Sequence, residues 1–90
     1  DKGLVNIALV KQLGVGLEGK VTGTVSNILQ QTQTLEFVPV REQNTVYYLA
    51  PFEFDNEDFL TFKIQVLPPS GDGPRVYPYD FKFQKKMYVD

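Results

Sequence analysis

Thr45–Val66 reads TVYYLAPFEFDNEDFLTFKIQV, two strongly apolar runs on either side of a short acidic break. In the first run Val46, Tyr48, Ala50, Phe52 and Phe54 alternate with Thr45, Tyr47, Leu49, Pro51 and Glu53. Successive side chains of a strand point to opposite faces, so the first set shares one side. The second run repeats this more cleanly, with Leu60, Phe62, Ile64 and Val66 on one side and Thr61, Lys63 and Gln65 on the other, the pattern of a half-buried strand. A helix would scatter both sets around its circumference. Asp55, Asn56, Glu57 and Asp58 between the runs favour a chain reversal, because Asp and Asn side chains bond nearby backbone groups. The expected product is a hairpin or a tight corner from one sheet to another. Pro51 has no amide hydrogen, which predicts an edge strand or an adjacent bulge.

Working outward, Gly3–Lys11 (GLVNIALVK) reads as a strand with Val5, Ile7 and Leu9 toward the core, and Gln12–Lys20 as a glycine-rich connection. Val21, Gly23 and Val25 alternate with Thr22, Thr24 and Ser26, a second strand with a wet hydroxyl face. Gln30–Gln33 is a polar turn, and Thr34–Arg41 a third strand buried through Leu35 and Phe37 and bent near Pro39. After a turn at Glu42–Asn44 come the two central runs. Pro68–Pro74 (PPSGDGP) cannot continue a sheet. Val76–Val89 closes the domain, with Tyr77, Tyr79, Phe81 and Phe83 alternating until Lys85 and Lys86 disturb the phase and suggest a bulge.

Ninety residues make one domain, 1–90, and a chain this short buries only about 60–65% of its unfolded surface. Seven Phe, five Tyr and eleven Val against two Ala suit a pleated surface better than a helix. The fold class that follows is all-β, an immunoglobulin-like antiparallel β-sandwich of about six to seven strands.

A formal charge of −2, with both signs interspersed, gives no footprint for nucleic acid or an anionic membrane. No apolar stretch approaches the roughly 20 residues that span a bilayer. With no cysteine there is no disulfide framework and no thiolate metal site; with no histidine the usual general base is missing too. The expectation is a protein that is not an enzyme and has no cofactor.

Three patterns resemble chemistry. Gly14, Gly16 and Gly19 fit G-x-G-x-x-G, and Gly14–Lys20 fits G-x-x-x-x-G-K, yet a phosphate cradle needs a helix after the last glycine, where VTGTVSN alternates as a strand. Val21 also stands where the nucleotide loop needs Ser or Thr. Glu53, Asp55, Glu57 and Asp58 could offer oxygen ligands to calcium, although a solvated turn explains the same residues. Glu36, Glu42, Glu53 and Asp80 are the carboxylates from which a hydrolytic pair would have to come.

What remains is surface. If Val46 and Tyr48 face the core, Tyr47 and Leu49 stand on the outer face, with Lys63 and Gln65 expected beside them on the neighbouring strand as a partner-binding patch. Cross-strand packing on a wet sheet face explains the same residues. Tyr77 and Tyr79 carry a similar choice. Lys82, Lys85 and Lys86 form a basic stripe suited to a solvated edge that discourages aggregation.

VNIALVK, GKVTGTVSNILQQTQTLEF, REQNTVYYLAPFEFDNEDFLTFKIQV and the ending FKFQKKMYVD together resemble a family of uncharacterised small proteobacterial proteins, classed only as a domain of unknown function. The likeness covers most of the chain and rests on the overall pattern and on stretches such as VYYLAPF and the terminal MYVD, not on a catalytic motif. It implies an exported, periplasmic domain that loses a signal peptide. Family members carry a segment ahead of the position of Gly3, which leaves open whether a strand of the full protein, and one sheet edge, is missing here. No functional residues are established for the family. The expected function is a non-catalytic binding or assembly module of the bacterial envelope, meeting an envelope protein or a second copy through a sheet edge or through Tyr47 and Leu49. The alternative is a small-ligand or calcium-binding sandwich using the loops at 12–20, 53–58 and 68–74.

Overall fold

The computed structural model of the chain describes residues 1–10, 19–43, 45–67 and 78–89. Seven strands run through them: β1 Lys2–Val10, β2 Lys20–Ser26, β3 Thr32–Leu35, β4 Val38–Glu42, β5 Thr45–Glu53, β6 Phe59–Leu67 and β7 Tyr79–Lys86. They form two antiparallel sheets, ordered β1-β5-β4 and β3-β2-β6-β7, packed face to face as a β-sandwich. In an immunoglobulin constant domain the second strand lies between the first and the fifth. Here β2 sits in the other sheet, between β3 and β6.

The core follows the alternation. Val46, Tyr48, Ala50 and Phe52 of β5 and Leu60, Phe62, Ile64 and Val66 of β6 are all buried, joined by Val5, Val21, Val25 and Leu35. Because β5 and β6 belong to different sheets, the acidic break is a corner, not a hairpin. A hairpin would set the two apolar rows side by side, whereas the corner sets them face to face, with Phe52 edge-on to Phe62 at 5.1 Å between ring centres. Within the corner the Asp58 amide donates to the Asp55 carbonyl at 3.1 Å, and the Asp55 amide donates to Asp58 Oδ2 at 2.7 Å. Glu57 takes a left-handed φ of 63° there.

Other elements depart from expectation. Thr34–Arg41 is not one bent strand: β3 ends at Leu35 and β4 begins at Val38 in the opposite sheet, so the break precedes Pro39. Pro39 lies within an edge strand, where its missing donor is tolerated. The turn expected at Gln30–Gln33 starts earlier, because Asn27 Oδ1 accepts the amides of Leu29 and Gln31, each at 3.0 Å. Pro51 lies in the middle strand of its sheet, but β4 pairing stops at Val38↔Leu49, so among the described residues the strand pairs at Pro51 with β1 alone. The register of β7 on β6 is continuous from Tyr79↔Val66 to Lys86↔Phe59. There is no bulge at Lys85, which stays in the inward phase opposite Leu60.

Candidate functional site

The two sheets have outer faces of opposite character. On the three-stranded sheet, the register lines up Ala8, Tyr47 and Val40 in one row, Asn6, Leu49 and Val38 in the next, and Leu4 beside Pro51 in a third. These are the residues out of phase with Val5, Tyr48 and Ala50, so they point away from the core. Leu4 and Val38 are 61% and 60% exposed. Charge is confined to the ends, where Lys2 pairs with Glu53 and Glu42 with Thr45. On the four-stranded sheet the outer rows are Thr22, Gln65 and Asp80, then Thr24, Lys63 and Lys82, then Ser26, Thr61 and Gln84. Gln65 Nε2 donates to Asp80 Oδ1 at 2.9 Å, and Gln84 Nε2 to Thr61 Oγ1 at 3.3 Å. An antiparallel sheet facing water is expected to be polar, as this second face is. The first face is apolar.

Tyr47 and Leu49 therefore stand where the alternation places them, at the centre of the apolar face. Lys63 and Gln65 do not join them. Since β6 pairs with β2 and β7 and never with β5, these two side chains lie on the opposite outer face, a full sandwich away. Sequence reasoning set Pro51 on the same side as Tyr47 and Leu49 but missed Leu4, Ala8, Val38 and Val40 as members of the face. The signal was legible in that GLVNIALV and TVYYLAP are apolar in both phases of the strand, which a sheet wetted on one side does not require.

The apolar face rests on a firmly tied core. The Tyr48 hydroxyl donates to the Gly19 carbonyl at 2.9 Å and accepts the Gly19 amide at 3.1 Å, joining β5 to the residue that leads into β2 in the other sheet. Phe62 stacks on Phe83 at 4.7 Å with ring planes 9° apart.

The four sheet edges also differ. β3 has four residues; β4 contains Pro39, Arg41 and Glu42; β7 carries Asp80, Lys82, Lys85 and Lys86, with Lys85 in the inward phase. Short length, proline and charge all discourage a further strand from adding to an edge. β1 has none of these from Gly3 to Val10, over most of its nine residues.

The residues singled out for chemistry are dispersed. Gly14, Gly16, Tyr77 and the 68–74 loop lie outside the described residues. Lys20 opens a strand, not the helix a phosphate cradle needs. At the 53–58 corner, Asp58 Oδ2 already accepts the Asp55 amide and Asn56 Oδ1 accepts the Val89 amide at 2.9 Å. Among the described residues no group of three Asp or Glu is placed to hold a metal ion. Glu42 and Glu53 flank opposite ends of β5, which at about 3.3 Å per residue are roughly 26 Å apart, far beyond the separation of a glycosidase pair. Asp80 lies on the polar face and Glu36 is exposed between β3 and β4.

A family model described as "Domain of unknown function (DUF4426)" matches residues 1–90. A crystal structure of a DUF4426 family protein from Pseudomonas aeruginosa is similar with a TM-score of 0.77 and 29% sequence identity, covering 99% of this chain and 76% of that one. A search of curated proteins finds no match.

Proposed function

From the DUF4426 family, to which this chain belongs, we propose a non-catalytic protein-binding or assembly module that works in the bacterial envelope and docks a partner on the outer face of its three-stranded sheet. The observation that carries this is the apolar surface of Leu4, Ala8, Val38, Val40, Tyr47, Leu49 and Pro51, interrupted by Asn6 and charged only at its ends. An apolar patch of this kind costs solubility unless a partner covers it, and patches rimmed by polar groups mark interaction sites. The face offers few hydrogen-bond donors, so it suits the apolar face of another protein better than a small polar ligand. The periplasmic location is supported by the family resemblance in the residues quoted above.

The test is site-specific photocrosslinking in cell envelopes, with the reactive amino acid at position 40 on the apolar face and, as control, at position 22 on the polar face. A discrete adduct is expected from position 40 alone, lost on Leu49→Lys while the melting temperature holds. Equal labelling from both positions, or unfolding of the domain by Tyr47→Ala, would show that the apolar face is not a docking surface.

A further inference from the structure

The three-stranded sheet is one strand narrower than the sheet it covers, and the shortfall falls on one side. The inward phase of β7 carries Tyr79, Phe81 and Phe83, directly across from Val66, Ile64 and Phe62 of β6. Those β6 residues are 2–8% exposed, yet Tyr79 is 66% and Phe83 37% exposed. Among the described residues the covering sheet ends at β1, and between that edge and β7 lies a cleft lined by Ile7, Phe62, Phe83, Lys85 and Met87. An independent observation concerns the edge itself: from Gly3 to Val10, β1 lacks the proline, charge or shortness that guards the other three described edges.

We propose that a further strand lies beside β1 and over β7, contributed by the portion of the family polypeptide that these ninety residues do not match. One strand in that place would pair the open backbone of β1 and cover the β7 aromatics at once. In the Pseudomonas relative the matched part covers 76% of the chain, leaving about a quarter, ample for a strand of β1's length. Its side chains must alternate, apolar toward Phe81, Phe83 and Met87, with a carboxylate or carbonyl within reach of Lys85. A second copy fits less well. Pairing β1 with β1 about Asn6 would bring the second β7, which also projects beyond its own β1, into the space that the first β7 occupies.

This inference concerns an edge and a cleft, and stands apart from the apolar outer face. In the test, the isotope-labelled ninety-residue chain is titrated with synthetic peptides that tile the unmatched quarter of the Pseudomonas relative. One peptide is expected to bind saturably, to slow exchange of the outward-facing β1 amides at least tenfold, and to shift the ring resonances of Phe81 and Phe83. Phe83→Asp weakens that peptide at least tenfold; Tyr47→Ala leaves it unchanged, which separates failure here from failure of the docking face. Peptides that leave the β1 amides unprotected overturn the proposal. So does protection that rises with chain concentration alone, the mark of a second copy on that edge.

Discussion

The side chain of Gln33 closes the sandwich by imitating a strand: its Nε2 donates to the Glu53 carbonyl at 2.7 Å, and its Oε1 accepts the Glu53 amide at 2.8 Å. One amide group thus supplies both bonds of a backbone pair between β3 in one sheet and β5 in the other. It does so at the end of β5 where β4 no longer pairs.

Replacing Gln33 by Leu removes both bonds while keeping similar bulk. At about 0.5–1.5 kcal/mol for each hydrogen bond, the expected loss is roughly 1–3 kcal/mol in urea denaturation. Gln33→Glu should lose nearly as much, since a carboxylate still accepts from the Glu53 amide but cannot donate to its carbonyl. A Leu variant as stable as the parent would mean that the clamp does not hold the sheets.

Adjacent tyrosines should behave oppositely. Tyr48 is 5% exposed and bonds Gly19 through its hydroxyl, so Tyr48→Phe leaves two polar groups of Gly19 unpaired at the sheet junction. The expected cost is about 1–3 kcal/mol. Tyr47, one residue away, points outward from the same strand. Tyr47→Phe is expected to change stability by less than about 0.5 kcal/mol, as surface substitutions usually do. Thermal melts of the pair decide the matter.

Gly23 occupies β2 between β3 and β6. A Cβ there would stand 2.8 Å from the Lys63 carbonyl oxygen and 2.8 Å from Ile64 Cδ1, and the first of these is backbone that cannot swing aside. Gly23→Ala is therefore expected to destabilise by about 1–3 kcal/mol through overpacking, despite the better strand propensity of alanine. Chemical denaturation with an unchanged m-value checks this, because a purely local strain leaves the exposed area on unfolding the same.

Phe62 is where the two sheets and β7 meet, edge-on to Phe52 and stacked on Phe83. It is 2% exposed. Phe62→Ala is expected to cost about 3–5 kcal/mol, a large part of the roughly 5–13 kcal/mol that holds a domain of this length. Phe83→Ala, at a half-covered site, should cost less than half as much. Equal losses for the two would mean that β7 is buried as deeply as β6.

Asn27→Ala removes the acceptor for the Leu29 and Gln31 amides, leaving a turn that presents Ile28 and Leu29 at 73% and 74% exposure. The expected loss is about 1 kcal/mol, and faster amide exchange at Leu29 and Gln31 should accompany it.

Alternation along the chain was enough to identify β1, β2, β5, β6 and β7 and to say which side chains share a face, since the pleat sends every second residue the same way whatever the neighbours are. Val46 to Phe52 and Leu60 to Val66 were legible as core on that ground alone, and so was the outward direction of Tyr47 and Leu49. Alternation says nothing about which strands lie side by side, because the backbone groups that pair them are common to every residue. That choice was made in three dimensions, where Phe52 and Phe62 had to meet across a layer and Tyr48 had to reach Gly19. It put β5 and β6 in different sheets and divided Thr34–Arg41 between the two layers. It also sent Lys63 and Gln65 to the far side from Tyr47, and left β1, among the described residues, as an edge beside a half-covered β7.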